Sequence, residues 1–194
     1  RISGGRAQGV VINAGCANAC TGEGGMRDAV EMARLAAAAL GIDEDLMLVS
    51  STGVIGRRLP MDRVAHGTEL AAKALSRNGG DTAAKAIMTT DTVDKQACAS
   101  VELGGATITI AGMCKGAGMI SPRLATMLAY LTTDAAVEPI ALQAALAEAV
   151  EPSFNRITVD GDQSTNDTVI MLASGAAGGE TLSQGHPDWA RFVA

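Results

Sequence analysis

The chain has 194 residues, of which 47% are apolar, so it is long enough for one large domain with a sizeable core. Only one Trp, one Tyr and two Phe occur, so this core must be built from aliphatic side chains and alanine. The net charge is −6, with no long run of either sign. This balance argues against a nucleic-acid partner and against an anionic membrane surface, because both require a clustered basic face.

The cysteines indicate free thiols rather than a disulfide framework. Cys16, Cys20, Cys98 and Cys114 stand among apolar or small residues, where we expect buried thiols in a reducing, cytoplasmic compartment. No apolar run reaches the ~20 residues of a membrane span, and no secretory signal is visible. The abrupt start at Arg1 and a last segment typical of the first turns of a helix predict part of a longer protein.

The first half of the chain predicts two buried strands, each followed by a glycine-rich loop and a helix. The first helix has its apolar residues at helical spacing and a natural stop at Gly41. These apolar residues, expected to face the core, are Met26, Ala29, Val30, Ala33, Ala36, Ala37 and Leu40. The predicted elements are strand 8–13, loop 14–22, helix 26–40, strand 46–49, loop 50–56, a helix from Pro60, and helix 81–87.

The second half predicts a β-hairpin and then a strand, a helix and a further apolar segment. Gly104-Gly105 separates two β-prone runs, a strong hairpin signal. Glycine-rich loop 115–122, strand 127–131 and helix 137–150 follow. We assign 167–173 to a helix with Asn166 or Thr165 as its cap. Parallel-type crossovers together with a hairpin predict an α/β protein with mixed sheets.

Three glycine-rich loops, 14–22, 50–56 and 115–122, carry hydroxyl side chains after predicted strands. Exposed backbone N–H groups in such loops can hold an anion or an oxyanion, although the same composition also suits simple turns. The nucleotide-binding patterns Gly-x₄-Gly-Lys-Ser/Thr and Gly-x-Gly-x-x-Gly are absent. The segment starting at Asp160 begins like a calcium loop, but lacks its later glycine and glutamate. A magnesium site stays open here without support from the pattern, so we predict a hydrogen-bonded turn and no metal site.

Histidine is scarce, which limits the forms of acyl-transfer catalysis open to this chain. His66 and His186 are its only histidines, which argues against Ser-His-Asp and Cys-His triads. An N-terminal threonine needs no histidine, because its own α-amino group, of pKa ~8, can deprotonate its hydroxyl. Thr126, at the start of the apolar run 127–131, would fit this role if the chain were cut before it. A structural threonine is the alternative.

Short blocks along almost the whole chain are together more specific than any one loop. They include Asn-Ala-Gly-Cys-Ala-Asn-Ala-Cys-Thr-Gly at 13–22, Lys-Gly-Ala-Gly-Met-Ile-Ser-Pro at 115–122 and Ala-Thr-Met-Leu at 125–128. The remaining blocks are 51–56, 59–61, 88–92, 132–134, 153–155, 158–162 and 164–167. In content and order they closely resemble the ornithine acetyltransferases, or bifunctional glutamate N-acetyltransferases, of arginine biosynthesis.

The resemblance implies a fold and a domain organisation. The expected architecture is a layered α-β-β-α sandwich, shared with the β-aminopeptidases. Residues 1–194 would form a single catalytic-core domain spanning the end of an α chain, 1–125, and the start of a β chain, 126–194. Family members are about twice as long, so parts of their N- and C-terminal regions would be absent.

The resemblance also implies self-cleavage between Ala125 and Thr126 and a ping-pong reaction at the new N-terminus. Thr126 would be the nucleophile that takes acetyl from N-acetyl-L-ornithine and passes it to L-glutamate. Thr52 and Gly53 match the oxyanion hole. Substrate contacts would come from Thr89, Lys115 and Thr126, and a lysine suits the α-carboxylate of an amino-acid substrate.

No cofactor is implied by the resemblance, although acetyl-CoA would be compatible as a second acetyl donor. The α and β chains of one precursor would assemble into a higher hetero-oligomer. Two other interpretations stay open. One is an N-terminal-nucleophile amidohydrolase or aminopeptidase of related fold, which would use water in place of glutamate. The other is an inactive binding fragment, because the family's C-terminal region supplies further substrate contacts.

Overall fold

The computed structural model describes residues 2–120 and 127–194. Within them the chain forms five α-helices and six β-strands, and these strands make a two-stranded and a four-stranded sheet. The backbone divides into two units, Arg1–Val93 and Asp94–Ala194. The predicted mixed α/β class is confirmed at this level.

The first unit is built on a parallel pair of strands joined by a long helix. β1 (Gly9–Cys16) and β2 (Met47–Val54) are connected by α1 (Gly22–Leu40). Alanines of α1 pack on Met47 in a buried cluster, since small side chains let the helix approach the strands closely. The helix ends as predicted at Gly41, whose φ of 68° is the left-handed conformation that glycine adopts without strain. Two shorter helices complete this unit, α2 (Met61–Lys73) and α3 (Gly80–Ala86).

The face of α1 that is buried differs from the predicted one. Met26 and Val30 are 69% and 46% exposed, although we expected both to face the core. Asp28, expected on a polar face, is buried together with Met32. The Arg58 guanidinium donates to both carboxylate oxygens of Asp28. This pairing satisfies the charge and lets the carboxylate lie on the inner face of the helix.

The second unit contains a four-stranded mixed sheet. Its strands lie in the order β3 (Lys95–Leu103), β4 (Ala106–Lys115), β5 (Leu128–Thr133) and β6 (Thr168–Ala173). β3 and β4 form the predicted hairpin. Gly104 and Gly105 both have positive φ, 56° and 77°, as a two-residue turn of this twist requires. β4 and β5 are antiparallel, whereas β5 and β6 are parallel and are linked by α4 (Pro139–Val150).

The helix that we predicted over 167–173 is wrong, because Thr168–Ala173 is strand β6. A six-residue apolar run has no periodicity that separates a buried strand from a helix. The β-branched residues Thr168, Val169 and Ile170 favour a strand, and parallel pairing with β5 satisfies its backbone groups. α5 (Trp189–Val193) follows the glycine-rich connector near the end of the chain.

The thiols depart from their predicted burial. All four cysteines are free, as expected, and Cys16 is buried. Cys20 and Cys98 are exposed, which corrects the prediction for these two. Cys98 lies on β3 at one side of the four-stranded sheet, and Cys20 lies in the loop between β1 and α1.

Candidate active site

Lys115 lies at one end of the four-stranded sheet, beside the start of the strand that follows Thr126. It is the last residue of β4 and pairs with Leu128, the first residue of β5. Leu128 in turn pairs with Thr168, the first residue of β6. Lys115 is only 3% exposed, so this end of the sheet holds a buried cation on the residue that pairs with Leu128, two positions after Thr126.

Asp167 places a carboxylate at the same end of the sheet. Its Oδ1 accepts a hydrogen bond of 2.8 Å from the backbone N–H of Met127, the residue after Thr126. The N–H of Thr168 donates to the carbonyl oxygen of Met127 at 3.0 Å. Both polar groups of the Met127 backbone are therefore held by the residues that open β6.

The electrostatics around Asp167 balance burial against three favourable contacts. Burial raises the pKa of the Asp167 carboxyl above its ordinary value, because desolvation penalises the charged form. Hydrogen bonds from the backbone N–H groups of Met127 and Ser164, and the charge of Lys115, act in the opposite direction. A lysine and an aspartate thus influence each other at the end of the sheet where the chain enters β5.

Thr52 and Gly53 lie in strand β2 of the first unit, not in the loop that we predicted over 50–56. The strand continues to Val54 because its parallel ladder with β1 continues to Cys16. Thr52 is 2% exposed, and Gly53 pairs with Gly15. A Cβ on Gly53 would lie 2.2 Å from the Gly15 carbonyl carbon, and its φ is +128°. Only glycine fits this contact.

Side chains and backbone groups near Gly53 fasten the end of this two-stranded sheet. The Ser51 hydroxyl donates to Asn13 Oδ1 at 2.6 Å, and Asn13 Nδ2 donates to the Cys16 carbonyl at 2.8 Å. Beyond the strands, the N–H of Ala17 donates to the Val54 carbonyl at 2.9 Å. The chain after β1 and the chain after β2 are consequently held together.

Thr89 lies after α3 in the first unit. It is exposed, and its backbone N–H donates to Asp91 Oδ2 at 3.3 Å in a local turn. Its prediction as a substrate contact came from the family resemblance alone.

The predicted site residues that the structure describes are divided between the two units. Lys115 lies beside the start of β5, in the second unit. Thr52, Gly53 and Thr89 belong to the first unit. Ala125 and Thr126, the predicted cleavage site and nucleophile, lie outside the described residues.

Sequence reasoning missed the contact between Asp167 and Met127, because Asp167 stood there only as the last residue of the family block 164–167 and the first residue of an apolar segment. The available signal was a carboxylate directly before a β-branched run. It becomes informative only if that run is assigned to a strand that starts beside β5.

Among residues 2–120 and 127–194, no three His, Cys, Asp or Glu side chains group as a metal site would require. In the same part of the chain, no helix has the length and apolarity needed to cross a membrane.

Comparison with known proteins gives consistent matches. The model of the ArgJ family matches residues 1–194. The arginine biosynthesis bifunctional protein ArgJ of Symbiobacterium thermophilum is 61% identical over 193 residues, which are 100% of this chain and 48% of the relative. Its counterpart in Bacillus subtilis is 52% identical over 183 residues, 94% of this chain and 45% of the relative. The chain thus spans about half the length of the curated relatives it matches.

Two solved structures are also similar. The crystal structure of arginine biosynthesis bifunctional protein ArgJ from Bacillus halodurans is 40% identical, with a TM-score of 0.55 over 61% of either chain. The ornithine acetyltransferase of Mycobacterium tuberculosis, complexed with ornithine, is 40% identical, with a TM-score of 0.51 over 58% of this chain and 61% of that one.

Proposed function

The chain belongs to the ArgJ family, and on that premise we propose that it forms part of an ornithine acetyltransferase. The protein moves acetyl from N-acetyl-L-ornithine to L-glutamate, with acetyl-CoA as a compatible second donor. Residues 1–194 form one catalytic core of the layered α-β-β-α type. This core spans the end of an α chain, 1–125, and the start of a β chain, 126–194.

The proposed maturation is a cleavage of the chain by its own threonine. The Thr126 hydroxyl attacks the carbonyl carbon of Ala125, and the bond from that carbon to the Thr126 nitrogen breaks. The hydroxyl proton passes to the nitrogen, which becomes a free α-amine. Water then hydrolyses the resulting ester, leaving a carboxylate on Ala125 and restoring the hydroxyl of Thr126.

The proposed transfer then proceeds in two steps at the new N-terminus. The α-amine of Thr126 accepts the hydroxyl proton while the oxygen attacks the acetyl carbonyl of N-acetylornithine, and ornithine leaves. The amine of glutamate next attacks the acetyl ester, and N-acetylglutamate leaves. Thr52 and Gly53 stabilise the oxyanion of each step, and loss of one such donor costs ~10²–10³ in rate.

Lys115 and Thr89 have proposed roles in substrate binding. A lysine held beside the start of β5 can pair with the α-carboxylate that both amino-acid substrates carry. The hydroxyl of Thr89 adds a polar contact. The observation that carries the proposal is the position of Lys115. Lys115 is buried, and its backbone pairs in the β4–β5 ladder with Leu128, two residues after the proposed nucleophile.

Intact-mass measurement of the purified chain tests the proposal. We expect two fragments, 1–125 and 126–194, from the wild type and one whole chain from Thr126→Ala. The exposed Thr82 on α3 provides a matched control, because Thr82→Ala should be cut like the wild type. A wild-type chain that stays whole, or a Thr126→Ala chain that is still cut at this bond, would contradict the proposal.

A second measurement separates transfer from hydrolysis. N-acetylornithine is supplied with and without glutamate, and the appearance of N-acetylglutamate and free acetate is followed. Transfer predicts N-acetylglutamate and an acetyl group on the 126–194 fragment when glutamate is withheld. Acetate as the only product, at a rate that glutamate does not change, would favour an amidohydrolase.

A further inference from the structure

Six residues, 121–126, separate Ile120 from Met127, and a single loop binds the backbone on both sides of them. On the first side, the Asp160 carboxylate accepts from the N–H of Met119 at 2.6 Å and from the N–H of Ile120 at 2.8 Å. The carbonyl of Ile120 accepts in turn from the N–H of Val159 at 2.8 Å. One carboxylate and one backbone amide thus fix the chain immediately before this segment.

On the second side, Asp167 fixes the chain where it resumes. Its Oδ1 accepts from the N–H of Met127. Its Oδ2 is buried and has no hydrogen-bond partner in the described part of the chain. The carboxylate also accepts from the backbone N–H of Ser164, so its hydrogen bonds connect Met127 to the loop that precedes β6.

The side chains on the two sides share one apolar cluster. Ile120 and Met127 are both buried, and both belong to a cluster with Ala129. The residue on each side of the segment thus packs in the same cluster, and the backbone N–H of each donates to a carboxylate, Asp160 for Ile120 and Asp167 for Met127. Asp160 and Asp167 both come from the short stretch between α4 and β6.

We propose that Asp160 and Asp167 are positioning residues for self-cleavage, which clamp the backbone on both sides of the segment that contains the Ala125–Thr126 bond. The inference rests on the proposed function. Attack of a hydroxyl on the preceding carbonyl requires the two groups to be held near a reactive geometry, and restricting the flanking chain lowers the entropic part of that barrier. The aspartates take no proton and form no covalent bond in this step.

After the cut, the two clamps have different roles. Asp160 and Ile120 then belong to different fragments, so their hydrogen bond joins the new end of fragment 1–125 to fragment 126–194. The contact between Asp167 and Met127 stays within the second fragment and holds the residue next to the new N-terminus. One clamp therefore retains the first fragment, and the other orients the start of the second.

The test measures the first-order rate at which the whole chain converts to the two fragments. The chain is expressed with any residues that its gene places before or after it, and samples are followed by intact mass. We expect Asp167→Ala and Asp160→Ala to be cut about tenfold more slowly, because each loses hydrogen bonds to a charged acceptor. Asp167→Asn keeps an acceptor oxygen of about half the strength, so we expect it to be only about threefold slower.

Asp162→Ala provides the matched control, since Asp162 lies in the same loop and is exposed. We expect its rate to be within about twofold of the wild type, as for most surface changes. The unfolding midpoint of every variant is measured in a Thr126→Ala background, where all chains stay whole. If the alanine variants fail to fold, Asp167→Asn decides the test, because its amide has the shape of the carboxylate.

The outcomes separate this inference from the function on which it rests. A wild-type chain that stays whole would overturn both. A wild-type chain that is cut, with Asp167→Ala and Asp160→Ala cut equally fast, would overturn the clamp and leave the proposed function in place. An Asn variant as slow as Asp167→Ala would also overturn the clamp, because the amide retains the acceptor.

Discussion

The two sheets of this molecule hold their strand ends by different means at the residues proposed for the reaction. In the two-stranded sheet, Gly53 and Gly15 face each other, and the backbones approach so closely that no side chain fits. In the four-stranded sheet, Asp167 holds the Met127 backbone with a carboxylate, and the buried Lys115 influences its charge. One end is set by steric contact and the other by electrostatic contact.

The difference predicts how each end responds to change. A close contact between two backbones does not tolerate an added side chain, since even one added carbon must displace a strand. A contact from side chain to backbone can be weakened by steps, because the acceptor can be neutralised without changing its shape. We therefore expect the Gly53 end of the two-stranded sheet to be sensitive to substitution and the Asp167 end of the four-stranded sheet to be adjustable.

The largest effect is expected from Gly53→Ala. The new Cβ would lie 2.2 Å from the Gly15 carbonyl carbon and 2.6 Å from the Cys16 nitrogen. The positive φ of +128° adds backbone strain. We expect the free energy of unfolding to fall by about 3 kcal/mol or more, as measured by urea denaturation followed by circular dichroism.

Gly67→Ala is the control for this substitution. Gly67 lies inside α2, and an added Cβ would meet no atom within 4 Å. The change should stabilise the chain by about 0.5–1 kcal/mol, because alanine is the better helix former. A Gly53→Ala chain as stable as the wild type would remove the distinction between the two sheet ends.

A smaller effect is expected from Arg58→Ala, which loosens the segment after β2. The Asp28 side chain is 7% exposed and pairs with Arg58, which is 53% exposed. The substitution leaves a buried carboxylate without its cation, and we expect the unfolding midpoint to fall by about 3–6 °C. Arg34→Ala, which breaks the exposed pair with Glu31, should change it by less than about 1 °C.

The same pair predicts a dependence on pH. Hydrogen bonding to Arg58 lowers the pKa of the Asp28 carboxyl below its ordinary 3.8. A lowered pKa stabilises the folded chain above the ordinary value, and this contribution is lost as pH falls through the folded pKa. The difference in midpoint between wild type and Arg58→Ala should therefore shrink below about pH 4. A difference that stays constant to pH 3 would contradict this account.

The sequence was sufficient for the elements whose signals are local. α1 and its end at Gly41 follow from helical periodicity and a glycine stop. The β3–β4 hairpin follows from two adjacent glycines between β-prone runs. In each case the residues that determine the structure lie within a few positions of one another, so no knowledge of distant partners is needed.

Three of the errors share one cause, which is pairing between segments far apart in the chain. Residues 50–54 are strand rather than loop because β1 extends alongside them. Residues 168–173 are strand rather than helix because β5 lies parallel to them. Asp28 is buried because Arg58, thirty positions later, pairs with it. The position of Asp167 beside Met127 depends on the second of these pairings, so it could not be predicted once that segment was assigned to a helix.

The smallest effect on stability is expected from Asp167→Asn. The contribution of Asp167 to stability changes with pH in the opposite direction to that of the Asp28 pair. Burial raises the pKa of the Asp167 carboxyl above 3.8, so the folded chain binds this proton more tightly than the unfolded chain does. The wild type therefore loses stability as pH rises from 3.8 through the folded pKa. Asparagine cannot ionise and avoids that loss.

At pH 7 the unfolding midpoint of Asp167→Asn in a Thr126→Ala background should equal that of its parent or exceed it by about 1–2 °C. Asp162→Asn, measured over pH 4–8, is the control for removing a carboxylate from an exposed position of the same loop. A midpoint that falls by several degrees at every pH would mean that the carboxylate is needed for folding. An unchanged or higher midpoint, together with slower cleavage when Thr126 is present, would assign the Asp167 charge to the reaction rather than to the fold. The substitution would then slow the cleavage without destabilising the folded chain.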